Sequence, residues 1–158
     1  MMLPAGTSLG KPAGKDLRLS GAQRQLAVRV YYEDTDFSGN VYHASYLRFL
    51  ERGRTELLRG LGIEHSRIFD GGGAKGCYFV VRAMTVEFLK PALMDDILFV
   101  ETRVSGTGGA SIEMNQEIRR GQVVVLLTAK VRIAVVSGGK ARRIPVEVLA
   151  RLKAVARP

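Results

Sequence analysis

A chain of 158 residues with 46% hydrophobic content can bury one sizeable core and is short for two domains, so a single domain is expected. The single cysteine, Cys77, excludes an intrachain disulfide, and with only His43 and His65 beside it no transition-metal site is expected. The formal charge of +9 sits mostly at the ends. Residues 1–24 carry four cations against Asp16, residues 137–158 carry six against Glu147, and the body between them is nearly balanced, with 14 basic and 13 acidic residues. No nucleic-acid partner is expected from a charge so placed.

Residues 1–24 are rich in Gly, Pro, Ser and Lys, show no sustained period and read as a flexible basic tail. They contain no apolar core of the signal-peptide kind, and no apolar run approaches the roughly 20 residues of a membrane helix, so a cytoplasmic protein is expected. The first strand follows: Leu26, Val28, Val30 and Tyr32 alternate with Ala27, Arg29, Tyr31 and Glu33. Asp34, Thr35, Asp36, Ser38, Gly39 and Asn40 then make a polar turn whose side chains suit bends and helix caps. A helix is predicted from about Ala44 to Arg59, with Leu47, Leu50, Leu57, Leu58 and Leu61 on its apolar face and Gly60 and Gly62 as stop signals. The Gly71–Gly76 segment lacks the spacing of a phosphate loop and reads as a mobile connection.

Four more strands are predicted. Cys77 to Lys90 alternates in its second half but is apolar on both faces from Cys77 to Val81, as expected of a strand covered twice, by a second subunit on one side. Pro91 ends it. Ile97–Val104 precedes a turn at Gly106–Gly109. Ile112, Met114 and Ile118 then alternate with Glu113, Glu117 and Arg119, and Gly121-Gln122 marks a hairpin. Val123, Val125, Leu127, Ala129, Val131, Ile133 and Val135 form one long apolar face, suggesting a strand central to the sheet. Pro145 opens a short C-terminal helix carrying Val146, Val148, Leu149 and Leu152. The order, strand, long helix, then strands joined by hairpins, specifies an α+β fold in which an antiparallel sheet wraps the long helix. Three segments result: the tail to residue 24, the domain at 25–136, and a basic hairpin and helix at 137–158.

The chemistry concentrates at the first turn. A carboxylate, Asp36, stands just ahead of a helix whose first N–H groups lack intrahelical acceptors and carry partial positive charge. Base or nucleophile and oxyanion donors would thus come from one segment, which points to carbonyl chemistry.

The residues Val28-Arg-Val-Tyr-Tyr-Glu-Asp-Thr-Asp36, Gly39, Val41-Tyr42-His43-Ala-Ser-Tyr46, Glu51-Arg52 and Arg54–Leu58 closely resemble the YbgC-like acyl-CoA thioesterases of the hot-dog superfamily, a 4-hydroxybenzoyl-CoA thioesterase-like group. Phe88-Leu-Lys-Pro-Ala92 and Asp95-Asp96 fit the same family. The resemblance implies five antiparallel strands around a central helix, dimers or tetramers with sheets joined edge to edge, and active sites at the subunit interface. It implies hydrolysis of acyl-CoA, or of an acylated carrier protein, with no cofactor beyond the coenzyme A of the substrate. Asp36 matches the family's catalytic carboxylate, Tyr32 and His43 match assisting positions, and the backbone N–H near His43 matches the oxyanion donor. Gly39, Val41, Tyr42, Tyr46 and Lys90 are the implied substrate-binding residues. Phe37, Ser38 and Asn40 depart from the small or aliphatic residues usual in the family and bear on acyl-chain preference.

Each residue has a structural alternative. Asp36 could merely stabilise the turn, His43 could orient the helix start, and Tyr32, in phase with Val30, could be a core tyrosine. Cys77 reads as inert and buried. Two other functions stay open. A non-hydrolytic binder would use the basic tails on an anionic partner, and a hydratase or dehydratase would need a paired His and acidic constellation on the helix that is not seen. Thiol release from acyl-CoA esters separates hydrolysis from both.

Overall fold

The computed structural model describes residues 23–69 and 76–156. The tail therefore falls outside the described residues up to position 22, as does the glycine-rich connection at 70–75. The first strand, β1 (Gln23–Arg29), begins inside the segment read as tail. It is followed by a 3-10 turn (Tyr32–Asp34), the long helix α1 (His43–Gly60) and a short helix α2 (His65–Phe69). Then come β2 (Tyr78–Phe88), β3 (Ile97–Thr107), β4 (Ser111–Arg120), β5 (Val124–Ser137), a two-residue β6 (Lys140–Ala141) and α3 (Val146–Val155). All pairings are antiparallel and the strand order is β1-β3-β4-β5-β2, with β6 paired to β5. This is a hot-dog fold: five long strands curve around α1.

Every second residue of the inner strands faces the helix. Leu98, Val100 and Val104 of β3, Ile112, Met114 and Ile118 of β4, and Leu127, Ala129, Val131, Ile133 and Val135 of β5 join Tyr46, Phe49, Leu50, Leu57 and Leu58 of α1 in one core. β5 is interior, as its apolar face required, but β4 holds the middle position.

Four details differ from the sequence reading. Tyr32 is not a core tyrosine on β1: the strand stops at Arg29 and Tyr32 lies 83% exposed in the 3-10 turn. Leu47 is exposed, and the buried face of α1 is carried instead by Tyr46, Phe49, Leu50, Leu57 and Leu58. Val123 belongs to the turn opened by Gly121, which adopts a positive φ of 64°, so it is exposed. Gly106 and Thr107 extend β3, paired with Glu113 and Ile112 beyond a bulge.

The end of α1 shows why the chain turns where it does. Gly62 takes a φ of +73°, so Ile63 N–H reaches Leu58 O at 2.9 Å and Gly62 N–H reaches Arg59 O at 2.9 Å, a left-handed cap that satisfies the last carbonyls. Ile63, 2% exposed, seals it against the core. Arg151 of α3 donates to Leu61 O and Gly62 O at 3.3 and 2.8 Å, so the C-terminal helix is tied to this end of α1. The other end follows the Asp36 turn in the chain.

Candidate active site

Between β1 and α1 the chain folds into a tight hairpin. Thr35 bridges Val41, Asp36 N–H donates to Asn40 O at 2.9 Å, and Gly39 N–H donates to Asp36 O at 3.0 Å. Gly39 has a φ of +81°, and a Cβ there would meet nothing within 4 Å, so glycine is required for the backbone angle and not for space. Val41 N–H donates to Ala92 O at 2.9 Å and Asn40 bridges Leu93, which lays the hairpin against the connection after β2.

Asp36 is exposed at the tip of this hairpin. Its Oδ1 accepts from Ser38 N–H at 2.8 Å and from the Ser38 hydroxyl at 2.5 Å. Oδ2 makes no hydrogen bond among the described residues. The Ser38 hydroxyl, then the Ser38 amide, hold the carboxyl below its usual range; desolvation opposes them and the charge of His43 assists. Ionised at neutral pH, it offers one fixed and one open oxygen.

The helix starts without a side-chain cap. The polar turn residues do not cap α1. The N-cap is Tyr42, whose side chain makes no capping bond, and Ser45 N–H is taken up by Tyr42 O at 2.8 Å. The amides of His43 and Ala44 have no intrahelical acceptor. Exposed His43 lies beside the Tyr42 ring, with centroids 4.3 Å apart. A carbonyl oxygen developing charge near these amides would meet two N–H donors and the positive end of an 18-residue helix.

The hairpin thus gathers Asp36, Gly39, Val41, Tyr42 and His43. Tyr32 precedes it and is exposed. Val41 and Tyr46 are buried, 5% and 4% exposed, and Tyr46 has a scaffold bond: its hydroxyl accepts from Ala92 N–H at 2.8 Å, and burial raises its pKa. Exposed Lys90 lies just ahead of that contact, and its side chain forms no hydrogen bond or ion pair among the described residues. No group of three or more His, Cys, Asp or Glu side chains able to hold a metal occurs among the described residues.

Two features of the surroundings escaped the sequence reading. Asp34 is buried within the turn. Under the middle of α1, Arg54 donates to Gln116 Oε1 at 2.9 Å, while Gln116 Nε2 donates to Leu50 O at 2.9 Å and Thr102 Oγ1 at 2.8 Å. Signals existed for both residues of that pair. Gln116 has the parity of Ile112, Met114 and Ile118, and Arg54 stands four residues from both Leu50 and Leu58.

An antiparallel sheet around one long helix, with an exposed carboxylate ahead of an uncapped helix N-terminus, defines a class: a hot-dog protein equipped for acyl-group chemistry. The thioesterase superfamily matches residues 38–127 of the chain. The acyl-CoA thioester hydrolase YbgC of Escherichia coli is 41% identical over 128 residues, covering 80% of this chain and 92% of that protein. The acyl-CoA thioesterase YbgC of Haemophilus influenzae is 43% identical over 113 residues, covering 72% and 80%. The crystal structure of a probable thioesterase from Bartonella henselae superposes with a TM-score of 0.76 at 46% identity, covering 78% of this chain and all of that one. The chain belongs to the thioesterase superfamily and, within it, to the YbgC family of acyl-CoA thioesterases.

Proposed function

We propose that this protein hydrolyses acyl-CoA thioesters to a free acid and coenzyme A. The observation that carries the proposal is the pairing, in one hairpin, of the ionised Asp36 carboxylate with the open His43 and Ala44 amides. The thioester carbonyl oxygen accepts from those amides, and Asp36 Oδ2, the oxygen left open by Ser38, either takes a proton from attacking water or attacks the carbonyl itself. The sulfur leaves as a thiolate, which needs little acid assistance because a thiol has a pKa of about 8.5. Removing an oxyanion donor costs about 3 to 4 kcal/mol in other enzymes, so two backbone donors can supply a large share of the rate. His43 takes the assisting role at the helix start, and Lys90, an exposed cation without a partner among the described residues, meets the phosphates of coenzyme A. An acylated carrier protein offers the same thioester and is the alternative substrate.

The working form in this proposal is a homo-oligomer built on a dimer. Among the described residues β2 ends the sheet with no strand paired to its outer side, and it exposes Val80 and Val81. An apolar unpaired edge favours pairing with a second copy. The proposed compartment is the cytoplasm, where a lone cysteine stays reduced; among the described residues no helix is long and apolar enough to cross a membrane.

The test is free-thiol release from a panel of aliphatic and aromatic acyl-CoA esters. Turnover of at least one class is expected. No release from any ester, by protein that is folded, would contradict the proposal.

A further inference from the structure

The turn carries three acidic residues, Glu33, Asp34 and Asp36, and the proposed reaction uses one. Asp34 is 4% exposed, although it lies two residues from the exposed Asp36. A carboxylate is buried only where its oxygens are satisfied and its charge is met. For Asp34 the scaffold of the site supplies a hydrogen bond to one oxygen and a cation facing the other. Its Oδ2 accepts from Tyr31 N–H at 2.9 Å, its own N–H donates to Tyr31 O at 3.0 Å, and its carbonyl accepts from Tyr42 N–H at 2.8 Å. Its Oδ1 faces the guanidinium of Arg48, one turn into α1, at 3.9 Å. Arg48 donates to Ser45 Oγ at 3.0 Å, and Ser45 N–H returns to Tyr42 O at 2.8 Å. The path from Asp34 through Tyr42, Ser45 and Arg48 back to Asp34 encloses the first turn of the helix.

An aspartate ahead of a helix commonly accepts from the second or third N–H of that helix and so blocks it. The Asp34 carboxylate is turned the other way, to Tyr31, and the His43 and Ala44 amides find no acceptor among the described residues. We infer that Asp34 is a positioning residue for hydrolysis: it fixes Tyr42, and through Tyr42 the direction of the two N–H groups that receive the oxyanion, without touching substrate. The inference rests on the reading of Asp36 and the helix N-terminus as the site. The two aspartates divide the work: one is buried and locked, the other exposed and reactive.

Three variants test it. Asp34→Ala removes the side-chain acceptor, Asp34→Asn keeps an acceptor for Tyr31 N–H, and Arg48→Gln changes an exposed partner whose loss leaves the core intact. Thiol release by wild type and Asp36→Asn is measured alongside, with rates expressed per folded protein. Asp34→Ala is expected to lose about tenfold to a hundredfold in kcat with KM within about twofold, because misdirected donors weaken the transition state and not the ground-state complex. Asp34→Asn is expected to return to within about threefold of wild type, since its amide oxygen accepts the same bond. A purely structural role would lower the melting temperature and leave kcat of the folded fraction unchanged; that result, or an Asn variant as impaired as the Ala one, overturns the inference. Should Asp34→Ala not fold, Arg48→Gln decides. It is expected to lose about threefold or more in kcat at constant KM, and a wild-type kcat overturns the inference. A wild type that releases no thiol would overturn the proposed function instead.

Discussion

Ser38 gives two hydrogen bonds to one oxygen of Asp36, at 2.8 Å from the amide and 2.5 Å from the hydroxyl. Bonds to the ionised form favour it, which is why the carboxyl sits below its usual range. Activity that needs the carboxylate is present above that depressed value and lost as pH falls through it. The acid limb of kcat/KM should therefore lie below the ordinary Asp value of about 3.9. Ser38→Ala removes the larger cause, so the limb should move to higher pH while the rate on the neutral plateau changes little. The pH profiles of both proteins check this, and an unmoved limb would mean that Ser38 does not tune Asp36. The same sign holds for stability: a depressed folded pKa contributes above the unfolded value and is lost in acid.

At the scale of elements, α1 is held at a fixed depth by a small residue and a polar network. A Cβ at Gly53 would stand 2.6 Å from Val100 Cγ1 and 2.9 Å from Thr102 Oγ1, so the helix approaches β3 more closely than alanine allows. Gly53→Ala should gain about 1 kcal/mol of helix propensity and lose about 1 to 3 kcal/mol to overpacking, for a net lowering of thermal stability. Thermal unfolding checks this; a raised melting temperature would show that β3 gives way freely. Gln116 satisfies Leu50 O and Thr102 while accepting from Arg54, whose burial lowers its pKa. Gln116→Leu should cost about 2 to 3 kcal/mol by stranding a buried charge's donor, measured by denaturant unfolding. These elements also show what was legible in the sequence. The strands and α1 came from apolar periods that packing preserves, and the Asp36 turn from its Asp, Ser and Gly content. Leu47 misled because several leucines admit two helical faces, and only the sheet selects the one holding Phe49. Tyr32 misled because two-residue alternation says nothing about where a strand stops. Its end is set by a tertiary bond, Val30 N–H to Asp96 O at 2.9 Å, and by a local one, Tyr31 N–H to Asp34 Oδ2 at 2.9 Å. The uncapped start at Tyr42 broke the usual rule for helix caps, and that is the place where the proposed chemistry needs open amides.

At the scale of the molecule, the two ends of α1 differ in purpose. One is closed by Gly62, Ile63 and Arg151; the other is open at His43, about 27 Å away along an 18-residue helix. In the proposed dimer the apolar edge of β2 meets a second copy, which would cover Val80 and Val81. Val80→Lys places a charge on that edge and should dissociate the dimer, with thiol release falling together with the dimer fraction in light scattering. A fully active monomer would remove the subunit interface from the account. The central claim is that Asp36 carries the hydrolysis, and Asp36→Asn tests it most directly because the change is isosteric and removes only the basic oxygen. Steady-state thiol release should fall about a hundredfold or more with melting temperature and assembly unchanged; turnover near the wild-type rate from the same folded assembly would contradict it.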